Sequence, residues 1–218
     1  MTAPDGGEPG RQHLDELVAT IDGELDAANQ AREQALPACR RVIRAAGSSI
    51  RAVHRLDPAS AAALAEESEE ALRVAQRVLE PFPHLAQAGY LHDAEKEYVE
   101  ARVVAALVAA APVPGPDALS VSPTAWMRGT AEAASELRRH LLDRLREGHL
   151  ERGEALLRAM DDVYAALVVV DYPDALTNGL RRTLDALRAV LERSRGDVTT
   201  TVLQTRLQRA IEAGGSGP

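Results

Sequence analysis

The chain has very few cysteines and aromatic residues, and each shortage narrows the class of protein to which it can belong. The single cysteine, Cys39, excludes an intramolecular disulfide and fits a reducing compartment, so we expect a cytoplasmic protein. Aromatic residues make up only 3% of the 218 residues, so the core must be built from Ala, Leu and Val. The longest apolar run, residues 103–111, is far shorter than the roughly 20 residues that cross a bilayer, so we expect no membrane association.

Several motifs that would define an enzyme class are also missing. The sequence has no P-loop, no glycine-rich nucleotide motif and no CxxC pair. It has no Glu-x-x-His, which excludes the di-iron carboxylate pattern of helical bundles. The net charge of −8 disfavours indiscriminate binding to nucleic acid, but a local basic patch is compatible with it.

The pattern of apolar residues is helical throughout. Apolar side chains recur at i, i+3, i+4 and i+7, and no alternating stretch of β-branched residues predicts a strand. We expect an all-α, single-domain antiparallel bundle of about six to seven helices over residues 11–212, between disordered tails at 1–10 and 213–218. The predicted helices span about 11–55 (with Pro37 as a kink or restart), 58–80, 84–111, 123–147, 150–170, 173–195 and 197–213.

Four glutamates occupy positions where a bundle should bury apolar side chains. Glu97 and Glu100 are three residues apart, and Glu132 and Glu136 are four apart, so each pair shares one helix face. An inward carboxylate is costly unless it is paired, protonated or bound to a metal. Two such pairs on neighbouring helices predict a site for Mg²⁺ or Mn²⁺. Gly129, one turn before Glu132, would allow these helices to approach closely.

The alternative for the glutamates is ion pairing with nearby arginines. The candidate partners are Arg102, Arg128, Arg138 and Arg139. Perturbed carboxylates occur in structural networks as well as in metal sites, so the pattern leaves both interpretations open.

A basic stripe forms the second candidate site. Arg40, Arg44, Arg51 and Arg55 fall within a narrow arc of one helix face, with His54 beside them. Such a ridge favours binding to the phosphates of nucleic acid, and the scarcity of aromatic residues makes this binding backbone-led. The alternative is a solvated face, or pairing with acids of the next helix. Those acids are Glu66, Glu67, Glu69 and Glu70.

The residues around the first glutamate pair carry a family resemblance. The segment 96–101 (KEYVEA) resembles the glutamate motif of translin-associated factor X, the catalytic branch of the translin family. The resemblance continues in order over about residues 30–200, in the segments 41–55 (RVIRAAGSSIRAVHR), 126–136 (WMRGTAEAASE), 148–164 and 171–195. On this basis the chain resembles a prokaryotic-type member that lies nearer the catalytic branch.

The resemblance implies an all-α fold, octameric shells and binding of single-stranded RNA or DNA. It also implies metal-dependent endoribonuclease activity, with Glu97 and Glu100 in the two motif positions. Glu132 stands where the family has an aspartate, and its side chain is one methylene longer. The resemblance implies that translin, the non-catalytic relative, also has an acid at the position of Glu136. The role of Glu136, in metal binding or in structure, therefore stays open.

Three functions follow as hypotheses. The leading one is a homo-oligomeric endoribonuclease in which Glu97, Glu100 and Glu132, with Glu136, hold Mg²⁺ or Mn²⁺ for cleavage of single-stranded RNA or DNA. The second is a translin-like shell that binds single-stranded nucleic acid without cutting it. The third is an all-α nucleoside triphosphate pyrophosphohydrolase, a class that also uses ExxE followed by a second acidic pair.

Overall fold

The computed structural model describes residues 8–214, which form nine α-helices and no strand. Six helices are long: α1 (Glu8–His54), α2 (Pro58–Leu79), α4 (Tyr90–Val108), α6 (Pro123–Arg146), α7 (Leu150–Leu167) and α9 (Leu180–Gly214). Three are single turns: α3 (Pro83–Ala86), α5 (Pro116–Leu119) and α8 (Asp174–Thr177). The all-α class expected from the helical periodicity is confirmed.

Capping residues start two of the long helices at their predicted first residues, 58 and 123. The carboxylate of Asp57 accepts a hydrogen bond from the Ser60 amide (3.1 Å), and Pro58 opens α2. The hydroxyl of Ser122 caps α6 in the same way, with Pro123 in its first turn. Each cap satisfies an amide that the helix itself leaves unpaired.

The predicted helices differ from the structure at several points. The helix predicted over 173–195 is divided into α8 and α9, because the backbone turns at Asn178 and Gly179, where φ is 49° and 84°. The helix predicted over 84–111 is divided into α3 and α4, because the backbone turns at Gly89, where φ is 96°. Residue Gly196 does not divide α9, since a helix tolerates one glycine at a cost of about 1 kcal/mol. Pro37 lies inside a continuous α1 rather than restarting it, on a solvent-exposed position.

The predicted tails fall mostly outside the described residues. Residues 1–7 and 215–218 are not among them, while α1 begins at Glu8 and α9 ends at Gly214. Within the described part of the chain, no helix combines the length and the apolar character that a membrane span requires.

The helices pack as two halves that share one seam. In the first half α1 packs on α2 and α4 around a core that includes Val42, Leu72 and Tyr98. In the second half α6 packs on α7 and α9 around Leu137 and Met160. Helices α4 and α6 join the halves, and this α4–α6 seam carries the two glutamate pairs.

Candidate metal centre and nucleic-acid interface

A glycine sets the close approach of α4 and α6. A Cβ atom on Gly129 would lie 2.6 Å from the carbonyl oxygen of Lys96 and 2.8 Å from the Val99 side chain. No side chain fits at that distance, so only glycine permits this crossing. The predicted role of Gly129 is confirmed, and the crossing places Glu132 of α6 opposite Glu97 and Glu100 of α4.

Three of the four glutamates converge at this crossing. Glu97, Glu100 and Glu132 each offer a carboxylate oxygen within 4.8 Å of the others, and we call these three residues the glutamate cluster. All three side chains are partly buried. Oxygen ligands from several carboxylates are the set that hard divalent cations prefer.

The one lysine of the chain lies against the cluster. The Lys96 ammonium donates to Oε1 of Glu97 (2.9 Å) and to Oε2 of Glu132. Its side chain is only 10% exposed, whereas Glu97 and Glu132 are 28% and 29% exposed. Burial disfavours the charged ammonium, but the hydrogen bonds to Glu132 and Glu97 outweigh it and raise the pKa of Lys96.

Glu100 has no cationic partner of its own. Burial, followed by the negative charges of Glu97 and Glu132, raises the pKa of Glu100 from 4.5 to about 8. Its carboxyl group makes no hydrogen bond or ion pair with any described residue. A proton or a divalent cation can relieve this repulsion, so the donor set fits Mg²⁺ or Mn²⁺.

The arginine alternative accounts for little of the cluster. Arg128 is the one predicted arginine near it, with Nη2 at 3.8 Å from Oε1 of Glu132. Arg138 pairs with Asp197 (2.7 Å), and Arg102 pairs with Glu69 (3.2 Å). Lys96 is therefore the main counter-ion, and sequence reasoning did not assign it a role. Its position directly before Glu97 as the only lysine was the available signal.

Glu136, the fourth glutamate, lies outside the cluster. Its Oε1 is hydrogen-bonded to Nε2 of His54 (2.7 Å). Glu136 lies on α6 one turn beyond Glu132, which belongs to the cluster. The His54 ring lies 6.2 Å from the ring of His140, which is buried as well. The structure thus assigns Glu136 a structural partner and brings only three of the four predicted ligands together.

The arginine stripe of α1 is exposed as expected. Arg40, Arg44, Arg51 and Arg55 are all exposed, and no described carboxylate lies within ion-pair distance of any of them. Arg41 instead pairs with Glu67 of α2 (2.9 Å), so the pairing alternative holds for that neighbour. We call the four unpaired residues the arginine face.

His54 does not belong to the arginine face. It is 8% exposed, and it points between α1 and α6 towards Glu136. Its predicted place beside the four arginines on the nucleic-acid surface is therefore wrong. Around the helix axis, His54 lies only some tens of degrees from the arginines, so spacing alone does not separate them. Packing against α6 decides that His54 is buried and the arginines are exposed.

Comparisons with known proteins agree on the fold. No family model matches the chain. The uncharacterized protein MJ0175 of Methanocaldococcus jannaschii is 28% identical over 205 residues, which cover 91% of this chain and 88% of that protein.

Three solved structures superpose on most of the chain. A structure of AfC3PO matches with a TM-score of 0.76 and 28% identity, covering 88% of this chain and 98% of that one. A complex of AfC3PO with duplex RNA matches with a TM-score of 0.70 and 27% identity, covering 86% and 97%. Apo-NeC3PO, at 19% identity and a TM-score of 0.76, covers 92% and 99% and shows the fold alone.

These structural neighbours are translin-family assemblies. The protein therefore has the all-helical fold of the C3PO assemblies of the translin family.

Proposed function

We propose that this protein is a metal-dependent endoribonuclease that binds and cleaves single-stranded RNA, or DNA, within a homo-oligomeric shell. The observation that carries the proposal is the convergence of three carboxylates within 4.8 Å at the α4–α6 seam. The similarity to a protein solved with duplex RNA supports a nucleic-acid ligand. The presence of Glu97 and Glu100 supports a place near the catalytic branch, because translin lacks both motif glutamates.

Glu97, Glu100 and Glu132 would hold Mg²⁺ or Mn²⁺. When bound, such an ion supplies Lewis acidity at a phosphate and lowers the pKa of water. Oε2 of Glu97, Oε1 of Glu132 and both oxygens of Glu100 make no hydrogen bond to described residues, so they are available as ligands. The extra methylene of Glu132 does not keep it from the cluster, since its oxygen meets the same distance limit as the others.

The surrounding side chains orient the carboxylates and the substrate. Lys96 holds Glu97 and Glu132 by one oxygen each, which leaves the second oxygen of each carboxylate without a hydrogen bond. Arg128 is 21% exposed beside Glu132, and its buried Nε has no hydrogen-bond partner. We assign it to binding the phosphate next to the cut, while the arginine face holds the backbone further along.

Exposed apolar stripes at the helix ends support a homo-oligomer, with the octamer as the expected size. Leu14, Val18, Ile21 and Leu25 alternate at four- and three-residue spacing on the exposed start of α1. Such heptad spacing favours helix–helix association. Leu203, Leu207 and Ile211 form a similar exposed stripe near the end of α9. Sedimentation equilibrium at micromolar concentration tests this part, and a monomer would contradict it.

Cleavage of labelled single-stranded RNA tests the activity. The wild type is incubated with Mn²⁺, Mg²⁺ or EDTA beside Glu97→Gln/Glu100→Gln, with Glu136→Gln as the matched control outside the cluster. We expect metal-dependent cleavage by the wild type and by Glu136→Gln. The double variant should lose cleavage by at least about 10³-fold while it keeps RNA binding and assembly. Unchanged cleavage in the double variant would remove the mechanism.

Lys96 favours one alternative, a translin-like shell that binds nucleic acid without cutting it. The ammonium satisfies Glu97 and Glu132 from within the chain, as a purely structural cluster requires. In that case RNA binding weakens steeply with added salt. No product forms with either ion, and the cluster variants bind RNA as the wild type does.

A further inference from the structure

A polar cavity lies at the far end of the α4–α6 seam. Its volume is about 690 Å³, and it lies where α4 ends, α6 passes into α7, and the C-terminal part of α9 crosses. We call it the His140 cavity. Its polar lining consists of His140, Arg144, His149, Glu151, Arg152 and Arg209.

The lining of the His140 cavity is positively charged. Three arginines face one carboxylate, that of Glu151. Arg209 is exposed and has no partner among the described residues, and Arg152 donates to the carbonyl oxygen of Val108 at the end of α4. Arg144 forms an ion pair with Glu147 through Nη2 (2.8 Å), and its other nitrogen atoms have no ion-pair partner among the described residues. The excess of cations, in a chain whose net charge is −8, favours an anionic ligand.

Two buried nitrogen atoms of the lining lack hydrogen-bond partners. Nδ1 of His140 and Nε of Arg144 are both buried without a partner, and the His140 residue is only 2% exposed. An unsatisfied buried polar group costs about 1–3 kcal/mol. The Arg144 guanidinium can only donate hydrogen bonds, so the missing partner of its Nε must be an acceptor. Phosphate oxygens meet this requirement and also match the guanidinium geometry.

The cavity and the glutamate cluster are linked by a stripe of side chains that winds around α6. Glu132, Glu136, His140 and Arg144 follow one another at four-residue intervals, so each is a neighbour of the next and lies about 40° further around the helix. At a rise of about 1.5 Å per residue, Glu132 and Arg144 are separated by roughly 18 Å along the axis. A stacked strand advances about 3.4 Å per nucleotide, so the two sites are about five nucleotides apart, and fewer in an extended strand.

We propose that the His140 cavity is a phosphate-binding subsite that holds the nucleic-acid backbone several nucleotides from the glutamate cluster, with Arg144 and Arg209 as its main contacts. The inference rests on the proposed function, because it assigns the phosphate to the same bound strand. The subsite adds a contact to the nucleic-acid backbone on α6, in addition to the contacts that the arginine face of α1 would make.

Binding measurements without cleavage test the subsite. Fluorescence anisotropy with a labelled twelve-nucleotide oligouridylate is measured in EDTA over a salt series. The proteins compared are the wild type, Arg144→Gln, Arg209→Gln, the double variant and Arg146→Gln. Arg146 is the matched control, because it lies on the same helix, is 80% exposed and pairs only with Asp143 (3.2 Å).

We expect the double variant to bind about tenfold more weakly, with the log–log salt slope reduced by about 1 to 2, while Arg146→Gln behaves as the wild type. Circular dichroism checks folding. If loss of the Arg144–Glu147 pair unfolds that variant, Arg209→Gln alone should still weaken binding about threefold. Equal binding by Arg209→Gln, the double variant and Arg146→Gln would overturn the subsite and leave the proposed function standing. No binding by the wild type would overturn both.

Discussion

The glutamate cluster and the arginine face each gather like charges, but their surroundings give them opposite behaviour. The three glutamates are partly buried and lie within 4.8 Å of one another, with Lys96 against two of them. The four arginines are exposed, three on α1 and Arg55 in the turn that follows it, and no described acid is paired with them. Charges at close range in a poorly solvated site interact strongly, whereas exposed charges are screened by water and salt.

The difference teaches what each region can do. Strong coupling makes the cluster respond as a unit to a proton, to Lys96 or to a cation, so removing one member should change the others. Weak coupling makes the arginines nearly independent, so each should add a similar increment to the binding of a polyanion. Substitutions at the seam should therefore have large effects, and substitutions on the arginine face should have small ones.

Gly129→Ala should have the largest effect on stability. The added methyl would meet backbone and side-chain atoms of α4 at 2.6–2.8 Å, so the helices must separate. We expect a loss of about 2–3 kcal/mol of unfolding free energy and weaker Mn²⁺ binding, measured by urea denaturation and titration calorimetry. The matched control is Gly196→Ala in α9, where the added methyl would meet no neighbouring helix or side chain within 4 Å and stability should rise slightly. Equal effects of the two substitutions would contradict the close crossing.

Glu100→Gln should stabilise the metal-free protein at high pH. Because folding raises the pKa of Glu100 from 4.5 to about 8, the folded state binds more protons than the unfolded state between these values. Wild-type stability therefore falls as pH rises from 4.5 to 8, and the variant escapes that loss. We expect a difference of about 2 kcal/mol above pH 8 and almost none below pH 4.5, from urea denaturation in EDTA.

Exposed Glu70 on α2 provides the comparison for this pH series. Glu70→Gln removes one surface carboxylate and should not reproduce the growth of the difference between pH 4.5 and 8. A constant difference between Glu100→Gln and the wild type across the series would show that Glu100 is not coupled to its neighbours.

Lys96→Met should make the cluster depend on an added cation. Without the ammonium, Glu97 and Glu132 lose their shared hydrogen-bond donor, and we expect a loss of about 1–2 kcal/mol in EDTA. Mn²⁺ should restore more stability to this variant than it adds to the wild type, because the ion neutralises the same carboxylates. Thermal denaturation with and without Mn²⁺ measures both effects. The surface variant Arg73→Met, which removes an ion pair with Glu69, should show no such rescue.

Single substitutions on the arginine face should have the smallest effects, and these should add. Arg44→Gln and Arg51→Gln should each weaken binding of single-stranded RNA about threefold and reduce the log–log salt slope by about 0.7. The double variant should show the sum of the two free-energy changes. Arg41→Gln is the control, since Arg41 already pairs with Glu67 and should contribute less. A double variant far weaker than that sum would place these arginines in one coupled site.

Particular residues show how far the sequence reached. The spacing of Glu97 and Glu100 predicted a shared face, and Gly129 predicted the close crossing, because both follow from helix geometry. The spacing of Glu132 and Glu136 did not reveal that only Glu132 would enter the cluster. One turn along α6 changes the neighbour from α4 carboxylates to His54 of α1, and that depends on where the helices cross.

The sequence by itself determined the helical class, the helix starts at residues 58 and 123 and the basic face of α1, because these depend on local spacing and on short-range hydrogen bonds. Only the tertiary structure decided that Lys96 joins the glutamates and that His54 is buried. These contacts link residues that are 36 and 82 positions apart in the chain. Their energies come from burial and from charges brought together by packing, and such distances do not exist until α1, α4 and α6 have met.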